Sequence, residues 1–301
     1  MLERTLSDTF EYTSNIYAMK KILVPCDFSK PAINAYRFAL DVAQQSKGVV
    51  HLLHIIELPV MHDTVLMPVL NFEEQLLKDL GKSAEERFKK LIAKYKTVGI
   101  KVVTSVKFGA VWRMIHDYID DEKIDLVLMG THGASGLREI FIGSNAERMV
   151  RTSPVPVLVI KDYAKEPIKH IVFPNILDLE DQEDLVMKVK ALQHFFKAHL
   201  HIVWINTPLN FTPDTWTNER LQVFAKRFML KNYSTHIFNS KEEKQGILEF
   251  TTQIKGDLIA IGTHGRKGIA HVMSGSLAED VINHGKCLVW TYLLKNEPVE
   301  A

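Results

Sequence analysis

Leu126-Val127-Leu128-Met129-Gly130-Thr131-His132-Gly133-Ala134-Ser135-Gly136 is a short apolar run that breaks into a glycine-rich turn. Leu258-Ile259-Ala260-Ile261-Gly262-Thr263-His264-Gly265-Arg266-Lys267-Gly268 repeats the pattern. Each copy is followed at the same distance by a Gly-Ser pair, Gly143-Ser144 and Gly275-Ser276. Working outward, Lys169-His170-Ile171-Val172-Phe173-Pro174 mirrors Lys20 to Pro25, His199–Asn206 mirrors Val49–Ile56, and Cys287–Tyr292 mirrors Val155–Ile160. Self-similarity in the same order over so many segments marks an internal duplication.

Within the first copy the apolar runs are Ile22–Val24, Val49–Ile56, Lys101–Val106, Leu126–Met129 and Val155–Ile160. They are nearly continuous rather than alternating, as strands buried on both faces of a parallel sheet require. Helical patterns lie between them. Ser29 is a good N-cap with Pro31 tolerated behind it, so Ala32–Ser46 reads as a helix. Phe72–Val98 reads as a long charged amphipathic helix closed by Gly99, with Val111–Asp121 and Ser144–Thr152 as the third and fourth helices. Strictly alternating strands and helices predict a doubly wound α/β fold with right-handed crossovers. The expected organisation is an extension over 1–18 (with Met19 as an alternative start), a first domain over 19–161, a linker over 162–167, a second domain over 168–295 and a tail over 296–301. The copies differ at Leu58–Asn71, which holds Pro59, Pro68, Met61, His62 and Met67 and reads as a loop or lid near the strand ends.

Composition narrows the function. The chain has 301 residues, 46% hydrophobic and 24% charged, ordinary for a soluble globular protein of two domains. Lys+Arg number 37 and Asp+Glu 36, a net charge of +1, which disfavours a strongly basic nucleic-acid binder and an acidic disordered tail. The two cysteines, Cys26 and Cys287, are isolated, so neither a disulfide scaffold nor a CxxC motif exists. No run of 18 apolar residues suggests a membrane span, and the first residues lack the apolar region of a signal peptide. A cytoplasmic setting is the simplest expectation.

Ligands of open parallel sheets bind beyond the carboxyl ends of the strands, at the switch point of strand order. With order 3-2-1-4-5 that point lies between the first strand, ending at Val24-Pro25-Cys26-Asp27, and the fourth, ending at Met129-Gly130. Glycines let a backbone approach an anion closely, and amides at a helix N-terminus favour negative charge. Ser144 adds a hydroxyl donor. The loop from Gly130 to Ser144 therefore has the physics of a phosphate site.

The doubled spacing G-x2-G-x9-G-[ST], carried by Gly130, Gly133, Gly143-Ser144 and by Gly262, Gly265, Gly275-Ser276, resembles the ATP-binding motif of universal stress proteins of the UspA type. KKILVPCDFS, LLHIIE and SPVPVLVI resemble that family too, over two tandem copies from residue 19 to about 294. The resemblance implies two flavodoxin-like domains, of the adenine nucleotide alpha hydrolase-like kind, each a five-stranded parallel sheet with helices on both faces. It implies an internal pseudo-dimer in which Val155–Ile160 pairs with Cys287–Tyr292, and it allows a homodimer. It also implies an adenine nucleotide, ATP or a relative with or without Mg²⁺. Pro25 and Asp27 would line the adenosine, Ile55 would pack on adenine, and Met129, Gly130, Gly133, Gly143, Ser144 and Asn145 would complete the site. In the second copy Ile176 stands where Asp27 does, Trp204 replaces His54 and Asn206 replaces Ile56. The loop of Gly262, Gly265, Gly275 and Ser276 is thus expected to form a weaker, empty or altered site. Asp178 is expected to cap the next helix.

Other chemistry is less supported. Among thirteen histidines, His51 and His54 should face opposite sides of a strand, and His199 and His201 share a face without a further evident ligand. No metal site is expected. His132 and His264 fit phosphate contacts or turns equally well. Cys26 reads as a buried, inert thiol. There is no GxxxxGK[ST] motif, no evident general base and no assignable triad, so binding without fast turnover is expected. Three readings follow: a nucleotide-binding regulatory protein, an interaction scaffold with vestigial loops, and a slow ATPase or phosphotransferase.

Overall fold

The computed structural model describes residues 19–57, 68–131, 143–163, 166–179, 182–264 and 275–294. Two compact units emerge, one spanning Met19–Gly130 and the other holding the chain from Thr131 onward. In the first unit, β1 (Lys21–Pro25), α1 (Lys30–Ser46), β2 (Val49–Ile56), α2 (Pro68–Lys94), β3 (Lys101–Phe108), α3 (Val111–Glu122) and β4 (Leu126–Gly130) follow in order. The strands lie in the order β3-β2-β1-β4, all parallel. The second unit contains α4 (Ser144–Thr152), β5 (Val157–Ile160), β6 (His170–Pro174), α5 (Glu183–Phe196), β7 (His199–Asn206), α6 (Asp214–Arg227), β8 (Tyr233–Asn239), α7 (Glu243–Gln253), β9 (Leu258–His264), α8 (Gly275–His284) and β10 (Leu288–Leu294). Its order is β5-β10-β9-β6-β7-β8. The second copy therefore carries the full 3-2-1-4-5 order expected from the alternation of its elements.

The compact units do not follow the sequence repeats. The fifth strand of the first copy belongs with the second because β5 pairs antiparallel with β10, Val159 opposite Val289, Leu158 opposite Trp290 and Val157 opposite Thr291. These are the strands whose pairing the resemblance implies. Trp290, on β10, is 1% exposed. Around it Arg151 of α4 forms a bidentate ion pair with Glu279 of α8. The Lys161 ammonium also donates at 2.7 Å to the carbonyls of Asn283 and Gly285, capping the end of α8.

Both copies use the same local devices. Helices α1, α3 and α5 end on lysines held in the left-handed region, Lys47, Lys123 and Lys197, each at φ 54°. Ahead of β4, Asp125 takes the backbone N–H groups of Lys20 and Lys21 onto Oδ2 at 3.0 and 2.8 Å. Ahead of β9, Asp257 does the same for Lys169 and His170 at 2.7 and 2.9 Å. One carboxylate thus pins the entry of the central strand in each copy. Asp125→Ala is expected to cost about 1.5–3 kcal/mol, the range for hydrogen bonds to a charged acceptor, read as a lower urea midpoint at unchanged m-value.

Three sequence expectations change. The long helix is Pro68–Lys94 rather than Phe72–Val98, so the last residues of Leu58–Asn71 are helical. Residues 58–67 lie outside the described residues. Ser29 does cap α1, accepting the Ala32 N–H at 3.3 Å. Asp178 does not cap α5: that helix begins only at Glu183, and Gln182 takes the N-cap position without a side-chain cap.

Candidate functional site

Strand β1 is apolar because it is the centre of its sheet, with Ile22, Leu23 and Val24 fully buried. Where it ends, the chain turns into α1 through Cys26, Asp27, Phe28 and Ser29. Asp27 is exposed and accepts the Ser29 N–H on Oδ1 at 2.9 Å. Its Oδ2 makes no hydrogen bond among the described residues. Phe28 holds a left-handed φ of 65°, strained for a residue with a Cβ. Its ring is clamped between His54 and Phe88, both at 4.9 Å between centroids, with the Arg87 guanidinium 4.0 Å above it. The strain is thus held by packing on α2 and β2.

Phe28, Phe88 and Arg87 escaped the sequence reading. A positive φ at a phenylalanine has no local signature, and Arg87 is one of many charged residues on the long amphipathic helix. Cys26 lies beneath, 3% exposed, and burial pushes its thiol up to about 11, as an inert cysteine requires. The Cys26 carbonyl lies 2.7 Å from Nδ1 of His54. A carbonyl only accepts, so Nδ1 of His54 is the donor. His51, on the opposite face of the strand, is buried with its Nδ1 3.0 Å from the Tyr118 hydroxyl.

Ile55 is half-buried at the end of β2, an apolar surface of the kind a base can cover. Met129 is different, 6% exposed, with its side chain in the core. Gly130 is required by packing: a Cβ there would stand 2.0 Å from the Pro31 carbonyl oxygen of α1. Gly143 has the opposite character. It heads α4 with no side-chain cap, and a Cβ there would meet no atom of the described residues within 4 Å. Ser144 and Asn145 form the exposed first turn of α4. Among the described residues the buried Thr131 hydroxyl has no hydrogen-bond partner, whereas its counterpart Thr263 reaches the carbonyls of Val150 and Tyr292, both at 3.4 Å. Gly133 and Gly265, with His132, Arg266 and Lys267, lie outside the described residues. Within the Met19–Gly130 unit, the exposed carboxylate of Asp27 and the apolar strand end at Ile55 are groups an adenosine could engage.

The second copy keeps the backbone turn and engages its polar groups with one another. Leu177 repeats the left-handed turn at φ 59°. Its N–H goes at 2.7 Å to Oδ1 of Asn175, whose amide donates at 2.6 Å to Gln182. The Leu177 carbonyl accepts from Arg220 at 2.9 Å. Asn206 accepts the Thr212 N–H at 2.9 Å and donates to Asn239 at 3.1 Å. The polar groups at these strand ends bond one another. Gly262 faces the Leu185 side chain, 2.6 Å from a built Cβ.

Two parallel α/β copies, each with a glycine-rich stretch of sequence after its fourth strand, define a tandem doubly wound protein. The universal stress protein family model matches residues 19–161 and 224–292, and the chain belongs to that family. A universal stress protein of Methanocaldococcus jannaschii is 30% identical over 152 residues, covering 50% of this chain and 86% of the relative. Universal stress protein G of Salmonella typhimurium is 30% identical over 146 residues, 47% of this chain and 99% of the relative. The crystal structure of a universal stress protein from Archaeoglobus fulgidus superposes with a TM-score of 0.72 at 20% identity, covering 92% of this chain and 99% of that one, which bears on fold. Among the described residues no helix is long and apolar enough to cross a membrane.

Proposed function

We propose that the first copy binds an adenine nucleotide, ATP or a close relative, and that the chain is a cytoplasmic regulatory protein without efficient turnover. Pro25, Asp27 and Ile55 take the adenosine. Met129 and Gly130 contribute backbone at the end of β4, and Gly133, Gly143, Ser144 and Asn145 take ribose and phosphate. Gly262, Gly265, Gly275 and Ser276 form the degenerate counterpart. One observation carries this reading: among the described residues the Asp27 carboxylate at the end of β1 keeps an oxygen without a hydrogen bond, whereas the polar groups at the matching strand ends of the second copy bond their neighbours. A buried polar group that is already satisfied gains little from a ligand.

Calorimetric titration of nucleotide-stripped protein with ATP and Mg²⁺ is expected to give one site per chain. Two sites would overturn the asymmetry. No binding at millimolar ATP would overturn the nucleotide reading and favour a scaffold.

A further inference from the structure

His199 and His201 share one face of β7, and the register of the sheet adds two more imidazoles that the sequence alone could not place. His170 lies opposite His199 on β6. On β8, Ser234 lies opposite His201 and His236 opposite Val203. Nδ1 of His170 is 3.0 Å from Nε2 of His201, whose Nδ1 is 3.2 Å from Nε2 of His236. The Ser234 hydroxyl bridges, 3.1 Å from Nδ1 of His201, 2.8 Å from Nε2 of His236 and 3.1 Å from Nε2 of His199. Nδ1 of His199 is 2.9 Å from Oδ1 of Asn232. The nitrogens face one another in pairs rather than converging on a point. Among the described residues no group of histidines, cysteines and carboxylates is arranged to hold a metal ion.

We propose that this cluster is a proton-operated latch that ties β6, β7 and β8 together when neutral and releases β8, the edge strand, on acidification. The wiring follows from the inventory of donors. A neutral imidazole has one N–H and one acceptor nitrogen. A neutral His201 can therefore satisfy His170 on one side and the His236–Ser234 pair on the other. A second proton in the row would place two cations about 3 Å apart in half-buried surroundings, where their repulsion exceeds that in bulk water.

Among the described residues no counter-charge offsets that cost. The charges acting on His201 are those of His199, His236 and His170. From β6, the neighbouring carboxylate is Asp257, which is committed to the backbone N–H groups of Lys169 and His170. From α7, Phe250 faces His236 at 4.8 Å. The charged residues of that helix are engaged elsewhere: Lys244 pairs with Asp280 at 3.7 Å, and Glu249 accepts from Gln245. Glu243 is pushed up by burial alone.

The first copy shows the contrast. His51, the counterpart of His201 in the strand register, leans on the Tyr118 hydroxyl of α3. Phe250, at the equivalent place on α7, has no hydroxyl to offer.

Unfolded histidines protonate near pH 6.5. Burial and the neighbouring imidazoles hold His201 down at about 4 and push His236 below its ordinary value. Below about pH 6.5 the unfolded chain therefore binds more protons, and stability present above that pH is lost on the way down.

The test is amide hydrogen exchange of the full chain at about pH 7.5 and about pH 5, corrected for intrinsic rates, beside a ¹⁵N titration of the imidazoles. Protection of β8 should fall about tenfold or more while β10 holds, and at least one imidazole should stay neutral well below pH 6.5. In His236→Gln, which keeps a polar partner but cannot titrate, the pH effect on β8 should shrink. Four imidazoles titrating independently near pH 6.5, or unchanged β8 protection, would overturn the latch. Both readouts come from the unsubstituted protein, so they separate a latch from independent titration even if the variant folds poorly.

Discussion

Gly130→Ala is expected to destabilise the protein by about 3 kcal/mol or more, the upper end of overpacking penalties, and Gly130→Val to prevent folding of the Met19–Gly130 unit. The cause is backbone against backbone. A Cβ at this position would lie 2.0 Å from the oxygen and 2.2 Å from the carbon of the Pro31 carbonyl, and 2.8 Å from the Ala32 nitrogen. Helix α1 has little room to retreat. It lies close on the sheet through Ala35, Ala39 and Ala43, all at 0% exposure, and its first turn is fixed by the Ser29 cap. Gly262→Ala should cost less, because its obstacle is the end of the Leu185 side chain, which can rotate. Gly143→Ala should change stability by no more than about 1 kcal/mol, the scale of N-cap differences, since no described atom stands near its Cβ. Urea midpoints of the three variants separate the cases. A Gly130→Ala protein as stable as the parent would refute the close approach of α1 to β4.

That contrast also shows which parts of the site were legible in sequence. The apolar runs and the repeated Gly-Ser pairs made the alternation of strands and helices and the duplication legible, because periodicity and turn chemistry are local. The reason for each glycine was not local. Gly130 answers to a helix a hundred residues earlier in the chain, whereas Gly143 answers to nothing among the described residues. The histidine row was invisible for the same reason, since its members come from three strands and meet only through register. The loss of Asp27 at Ile176 was readable by alignment of the copies. The two amide pairs that stand there, Asn175 with Gln182 and Asn206 with Asn239, were not, because nothing in the spacing says that the members of each pair meet. The expected cap at Asp178 failed because α5 starts later after its turn than α1 does.

Asp27→Ala is expected to weaken ATP binding by roughly 10- to 100-fold, the equivalent of one charge-assisted hydrogen bond lost in the site. Asp27→Asn should fall between the two, because the amide keeps an acceptor but not the charge. Ile176→Ala should leave affinity unchanged, since the second copy is proposed not to hold the nucleotide. The fold should tolerate all three substitutions. Asp27 is exposed and bonds the nearby Ser29 N–H, so its removal should cost about 1 kcal/mol. Phe28 keeps its left-handed turn through its ring contacts on His54 and Phe88, independently of the carboxylate. Titration calorimetry with parallel urea melts distinguishes binding from stability. Equal losses for Asp27→Ala and Ile176→Ala would mean that both strand ends contact ligand and that the amide network of the second copy opens to admit it. No loss in either would place the nucleotide away from β1 and leave the Asp27 carboxylate with only its turn to hold.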